Sequence, residues 1–300
     1  SGKRVHGTGA IAGGMNKSLT KAERDNLLED IDQIIEWSAG AVALIKQVHC
    51  SNLPYYDNFA TIPTNYLGLT KGNGALEFYH GGIRAKDANG DTIMDHIDYC
   101  QYNDYIHEEV RSWTYMKFPY LTALGQDKGW YRVGPLARIN NCDSIDTPLA
   151  EQARVEFKLH GAGAMVHSTL AFHWARLIET LHCAESIKNL LNDPDIMGSD
   201  LVAQGEKRYR GIGVIEAPRG TLFHDYEIDE NDIVTKANLI VSTTSNNMGM
   251  NESVRQVAAE YLSGQELTEP LLNNLEVAIR AYDPCLSCAT HAVGKMPLQV

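Results

Sequence analysis

Two thiols and an imidazole fall within one short run near the end of the 300-residue sequence, Asp283-Pro284-Cys285-Leu286-Ser287-Cys288-Ala289-Thr290-His291. Thiolate sulfur and imidazole nitrogen are ligands for zinc, nickel and iron alike, so the run is suited to holding a transition metal. Three donors cannot close a tetrahedral or larger shell. The remaining ligands must come from elsewhere in the chain, from a cofactor, or from other protein. By itself a C-x-x-C pair fits half a zinc site, a dithiol redox centre, or two thiols that bind nothing. Thioredoxin-like chemistry is disfavoured, because that motif follows a strand early in a βαβ unit and this one follows a helical pattern. For zinc, His6, His49 and His224 are candidates for the missing ligand, and spacing does not choose among them.

The other chemistry-bearing stretches carry less. Arg176, Glu179, His182 and Cys183 recur at spacings of three and four and share a helix face, which reads as a salt bridge beside a packing seam. The glycine-rich run Gly2 to Gly14 has neither G-x-G-x-x-G spacing nor a preceding apolar strand, and its Lys3 stands before the glycines, so it is not read as a phosphate loop. Cys50, Cys100, Cys142 and Cys183 are isolated in sequence and do not form a secreted disulfide framework; a reducing cytoplasm is expected. With 38 acidic against 26 basic residues the net charge is -12, which argues against nucleic acid or an anionic membrane as the main partner. Apolar stretches are too short and too interrupted for a membrane span.

Positioning these residues requires a mainly helical frame with peripheral antiparallel β, an α+β arrangement. Thr20-Lys21-Ala22-Glu23 has capping-box form, and an apolar stripe from Leu27 to Ile45 predicts a long helix from about Leu19 to Val48, bent at Gly40. Trp37 and Met15 are read as core or helix–helix contacts. Residues 75–97 change period and predict a small antiparallel excursion with a turn at Asn89-Gly90. Tyr99 to Trp113 reads as a helix with Asp98 as a possible cap, and a loop carries Lys117 to Tyr120 and Tyr131 to Asn140. Thr147-Pro148 starts a helical stretch that runs to Leu191 with a break at Gly161 and Gly163. A three-stranded meander or two hairpins fits about 209–241, and helices resume over Ser253 to Leu262 and Pro270 to Tyr282. The whole is read as one domain over 1–300.

The run Asp283 to His291 resembles the C-terminal D-P-C-x-x-C-x-x-H motif of the large, catalytic subunit of nickel–iron hydrogenases. Val5 to Ile11, Tyr131 to Asn140, Arg176 to His182 and Glu216-Ala217-Pro218-Arg219-Gly220 are also similar, and the soluble NAD-reducing, bidirectional branch is matched best. The resemblance implies the large-subunit helical fold and reversible heterolytic cleavage of dihydrogen at a nickel–iron centre carrying cyanide and carbon monoxide. It implies Cys285 as a terminal thiolate on nickel and Cys288 as a thiolate bridging to iron. A thiolate on one metal keeps more basicity than one shared by two, which makes Cys285 the better proton acceptor. Arg219, in its tight Pro-Arg-Gly connection, is implied to hang over the open metal face. Asp283 is implied to orient that guanidinium, and Pro218, Ser242 and Thr243 to line the cyanide pocket. His291 is implied to ligate magnesium, or iron in some members, together with a carbonyl near Asn238 or Leu239. Implied partners are a diaphorase module that holds NAD, a maturation protease, nickel-insertion factors and an iron–sulfur small subunit.

The sequence departs from the family pattern in three places. The R-x-C-G-x-C-x-x-x-H motif that supplies the family's second cysteine pair is not found in these residues, so the chain is expected to begin well inside a normal large subunit. Ala292 to Val300 follows the histidine after which maturation normally cuts, as in a precursor. Leu239 to Asn246 lacks the proline and tryptophan common in relatives. The alternatives are therefore an unrelated zinc-stabilised protein and a truncated or immature non-catalytic subunit. All depends on Cys285 and Cys288 sharing one buried pocket beneath Arg219.

Overall fold

A computed structural model describes residues 9–11 and 13–290. Helix α1 spans Lys21–Ser51. The Thr20 hydroxyl accepts from the Glu23 N–H at 3.3 Å while the Glu23 carboxylate accepts from the Thr20 N–H at 2.9 Å, closing the predicted capping box. The helix runs through Gly40 unbroken. One glycine costs about 1 kcal/mol in a helix interior, little against the burial of Ile31, Ser38, Val42 and His49 on the packed face. The apolar stripe is wider than that face. Trp37 is 68% exposed and Met15 50%, so neither is the core contact expected.

Strand β1, Asn65–Thr70, is buried along its whole length and is not foreshadowed by the sequence pattern. It pairs antiparallel with β2, Gly82–Lys86, which pairs with β3, Thr92–Ile97, giving the excursion expected over 75–97. The helix expected from Tyr99 to Trp113 shrinks to a short turn capped by Asp98 and a single helical turn. Chain then enters β4, Ile106–Glu109, which pairs with β5, Phe118–Leu121. Tertiary contacts override the local periodicity here. The fully buried Tyr102 donates its hydroxyl to the Asp225 carboxylate at 3.0 Å, which pins the segment and leaves too little chain for a helix. A two-residue strand β6, Tyr131–Arg132, adds parallel to β1.

Part of the expected loop is helix α2, Pro135–Asn141, every residue of which is buried. Helix α3, Pro148–His160, and α4, Ala171–Asn192, flank a break at Ala162 and Gly163, both with positive φ, close to where it was predicted. Thr147 does not cap α3 with its side chain; its hydroxyl pairs with His182 Nδ1 at 2.8 Å, and the Glu185 carboxylate takes the Leu149 and Ala150 N–H groups instead. The meander is present as β7, Arg210–Ala217, β8, Gly220–Ile228, and β9, Val234–Ile240. There follow the short α5, Ser242–Ser245, α6, Asn247–Val257, α7, Glu269–Ala281, and the four-residue α8, Leu286–Ala289.

The largest apolar core lies among α2, α3 and α4 and takes in Val42, Tyr66, Met250 and Tyr282, so helices form the body and the sheets lie at its edge. A second core sits between the β1 sheet and the meander. No described helix is long and apolar enough to cross a membrane.

Candidate metal centre

Two chain segments far apart in sequence meet at this site, and each is held by buried groups. The first is the turn between β7 and β8, where Ala217 pairs with Gly220 across Pro218-Arg219. Gly220 has φ +137°, and a Cβ there would lie 2.2 Å from Val133 Cγ2 and 2.7 Å from Gly134 N. Gly134 has φ +94°, and its Cβ would lie 2.7 Å from the Arg219 carbonyl. Only glycines let the turn press onto the start of α2 this closely. One helical turn further on, Arg138 donates to the Ala217 carbonyl at 2.9 Å and the Pro218 carbonyl at 3.1 Å. The same guanidinium is gripped by both Glu179 oxygens at 2.6 Å and by Glu216 at 2.7 Å. Burial disfavours its charge, yet the two carboxylates outweigh that and hold Arg138 above its ordinary pKa. The turn that carries Arg219 is therefore fixed from inside by an ionic cluster. Gly220→Ala is expected to cost about 2–3 kcal/mol through backbone strain and the clash with Val133, read as a lowered midpoint in urea denaturation.

The second segment is the exit from α7. Arg176 donates to the Ala281 carbonyl at 2.9 Å, and the buried Tyr282 shares a 2.8 Å hydroxyl contact with Ser253. Asp283 has φ +51°, a left-handed conformation that Asp tolerates better than most residues. Its carbonyl accepts from Arg219 Nε, while its carboxylate lies 3.2–3.3 Å from Arg219 Nε and Nη2. Two residues on, the Cys285 N–H donates to Thr243 Oγ1 at 3.0 Å. Helix α8 then rests on α5, with Thr244 Oγ1 donating to the Ala289 carbonyl at 3.4 Å.

Around these two segments lies a cavity of about 340 Å³ lined by Pro218, Arg219, Leu222, His224, Leu239, Ser242, Thr243, Cys285 and Cys288, among others. The two sulfurs stand 2.7 Å apart, well beyond the roughly 2.05 Å of a disulfide bond. No third His, Cys, Asp or Glu donor among the described residues lies within 4.8 Å of both. His224 lines the same cavity but turns its Nδ1 to the Tyr226 hydroxyl at 2.8 Å. The described residues thus do not close a structural zinc site. The donor set is two convergent soft sulfurs with a cavity in front of them, and it fits a metal centre whose other ligands are not side chains of this cavity.

Hydrogen bonding makes the sulfurs unequal. Contact with Cys288, and then with Ser287, holds the Cys285 thiol below its ordinary pKa, while the same contact with Cys285 pushes Cys288 up. In the metal-free chain, alkylation of Cys285 by iodoacetamide, followed by peptide mass mapping, is expected to rise at a pH below the ordinary thiol value of about 8.5 and ahead of Cys288. Cys288→Ala should move the Cys285 profile back up. Superimposable profiles for the two sulfurs would count against this assignment.

Most of the residues singled out from the sequence are brought together. Cys285, Cys288, Arg219, Pro218, Ser242 and Thr243 line one cavity, and Asp283 pairs with Arg219 behind it. The pocket is less buried than expected: Cys285 is half-buried and Cys288 exposed, because α8 is a shelf on α5 with no described residue covering its outer side. Ser242 and Thr243 differ in what they can offer. The Ser242 hydroxyl is spent on the Gly220 carbonyl at 2.6 Å, whereas Thr243 accepts from a backbone N–H and keeps its own hydrogen to donate. Asn238 turns its amide to the Tyr102 hydroxyl at 2.9 Å. His6 and His291 lie outside the described residues, and His49 stands with Asp57 and His160 rather than with the cysteines. Arg176 and Glu179 form no salt bridge with each other: Glu179 goes to Arg138 and Arg176 to the α7 exit. Sequence reading missed Arg138, and gave Glu216 no role although it directly precedes Ala-Pro-Arg-Gly.

A family profile described as nickel-dependent hydrogenase matches residues 75–291. The NAD-reducing hydrogenase HoxS subunit beta of Cupriavidus necator is 44% identical over 309 aligned residues, which cover 100% of this chain and 63% of that protein. One subunit of the F420-non-reducing hydrogenase vhc of Methanococcus voltae is 39% identical, covering 99% and 63%. A crystal structure of an NAD+-reducing NiFe-hydrogenase in the H2-reduced state superposes with a TM-score of 0.93 at 51% identity, over 97% of this chain and 64% of the other. The chain spans just under two thirds of the length of these relatives.

Proposed function

The chain belongs to the nickel-dependent hydrogenase family, and on that footing we propose that it forms the part of a hydrogenase catalytic subunit that presents Cys285 and Cys288 to a nickel–iron centre. The observation that carries the proposal is the cavity in which these sulfurs converge beside the Arg219 guanidinium, on a fold shared at a TM-score of 0.93. The reaction is the reversible heterolytic cleavage of dihydrogen. When bound, the centre supplies a Lewis-acidic site where dihydrogen is polarised, with cyanide and carbon monoxide as ligands on iron.

The chain's own residues hold the metals and manage the proton. Cys285 takes the proton, since a thiolate held by one metal would keep more basicity than one shared by two. Arg219 keeps a fixed positive charge at the cavity wall and is steered by Asp283, which contacts it through both carbonyl and carboxylate. Thr243 is the hydroxyl donor to a cyanide nitrogen, since Ser242 is already committed to Gly220. His291 serves a magnesium or iron ion.

Electrons leave through an iron–sulfur small subunit, and NAD is reduced on a diaphorase module in the cytoplasm; the name of the Cupriavidus relative supports this acceptor. A maturation protease and nickel-insertion factors act before the centre is complete. The test is elemental analysis with infrared spectroscopy on the assembled protein. Nickel and iron together with cyanide and carbon monoxide stretches are expected. Zinc alone, or no metal, would overturn the proposal.

A further inference from the structure

A second constellation of metal-ligating side chains shares no residue with the cysteine cavity. His49 Nε2 lies 2.9 Å from Asp57 Oδ1, and His160 Nε2 lies 2.8 Å from the same oxygen. All three ligand atoms lie within 4.8 Å of one another. The residues come from three separate places: the last turn of α1, the segment that follows it, and the final residue of α3. The imidazoles are held on a rigid aromatic wall. Their centroids are 5.1 Å apart and edge-on, and each is 5.4 Å from the Trp174 indole.

We propose that His49, Asp57 and His160 form a binding site for a divalent transition-metal ion of the zinc type. Four features support this. Two imidazoles and one carboxylate are a donor set for zinc, nickel or copper, whereas calcium and magnesium need a shell of oxygens. The fit is close: metal–ligand bonds of about 2.0–2.2 Å in a tetrahedron place donor atoms about 3.3–3.6 Å apart, so the two His–Asp contacts need open by about 0.4–0.8 Å. Both histidines sit at helix C-termini, where unpaired carbonyls and the negative end of the helix dipole favour a cation. Finally, the site is walled on one side and open on the other. The His49 side chain is 2% exposed and that of Asp57 40%, so an ion can enter from solvent and complete its shell with water. The bound ion ties the end of α1 to the end of α3, beside the Lys46–Glu156 ion pair that already bridges these helices at 2.6 Å.

The test uses the full chain carrying Cys285→Ser and Cys288→Ser, so that the thiolate pair cannot take the ion. Cobalt(II) is titrated and followed by visible absorption, and zinc by calorimetry and by the quenching or shift of Trp174 emission. Expected are one equivalent of cobalt with the strong ligand-field bands of a four-coordinate site, no sulfur-to-metal charge transfer, and displacement by zinc. His160→Ala and Asp57→Asn should each weaken zinc binding by more than the 10–100-fold that loss of an outer partner of a metal ligand costs. Circular dichroism confirms folding of the variants, with His160→Gln as a milder replacement should the alanine variant fail to fold. No one-to-one binding at micromolar zinc, sulfur charge transfer, or binding undiminished in folded His160 and Asp57 variants would each overturn the site and leave the triad as a hydrogen-bonded clamp.

Discussion

Cys285→Ser is expected to abolish hydrogen-dependent reduction of an artificial acceptor in the assembled enzyme, a loss of well over the roughly 100-fold that marks removal of an outer partner of a metal ligand. The change is nearly isosteric, so the backbone contact that fixes this position, the Cys285 N–H to Thr243 Oγ1, survives it. What disappears is the soft donor. A serine hydroxyl has a pKa far above that of a thiol and does not present an anionic ligand to nickel at neutral pH. Two effects follow together. Nickel content falls, because one of the two convergent sulfurs is gone, and any metal that remains lacks the sulfur proposed to take the proton. Parallel measurement of nickel and of turnover separates them: activity lost with nickel retained assigns the proton-accepting role, and activity lost with nickel assigns the anchoring role. Wild-type turnover in the variant would refute both.

Legibility of this site in the sequence is uneven, and the unevenness has a physical cause. Cys285 and Cys288 announce themselves because metal chemistry demands particular atoms at particular spacings, and those demands are met within one short run, whereas Arg219 is marked only by the family resemblance. The meander around Arg219 is also readable, since its strands alternate and its connections carry Pro-Arg-Gly and Asp229 to Asp232. By contrast α2 reads as loop in the sequence because periodicity assumes an apolar buried face, and this helix buries Arg138, Asn140 and Asn141 together with its apolar residues. Its side-chain donors find partners remote in sequence: Asn140 donates to the Val166 carbonyl and Asn141 to the Arg84 carbonyl, both at 2.8 Å, while Asn141 Oδ1 is buried without a partner. The Tyr99 to Trp113 error has the same origin, since the Tyr102 to Asp225 hydrogen bond spans more than a hundred residues. What a local pattern shows is where chain is half-buried. It does not show a wholly buried polar layer, and here that layer is what holds the turn bearing Arg219.

The second large effect tests that layer directly. Arg138→Met is expected to destabilise the chain by about 3–5 kcal/mol, measured by urea denaturation, because it strands two carboxylates in the interior. The side chains of Arg138, Glu179 and Glu216 are 2%, 8% and 0% exposed, so solvent does not take over the role of the guanidinium. Replacing a buried ion pair by apolar groups is often nearly neutral, but that route is closed here. Glu216 also accepts the Leu69 N–H at 2.9 Å and the Thr221 hydroxyl at 2.7 Å, and its removal would leave those donors unpaired. Glu179→Gln should be milder, as Arg138 keeps Glu216. Burial already holds the Glu216 carboxyl above its ordinary pKa, and Arg138→Met removes the guanidinium that counters this. The native state then holds protons more tightly, and the stability deficit should shrink as pH falls and grow as pH rises. The same substitution removes the donors to the Ala217 and Pro218 carbonyls, freeing the turn from which Arg219 reaches Asp283. Turnover should therefore fall in Arg138→Met even below its unfolding transition, with nickel retained, whereas a purely structural cluster would leave the folded fraction fully active.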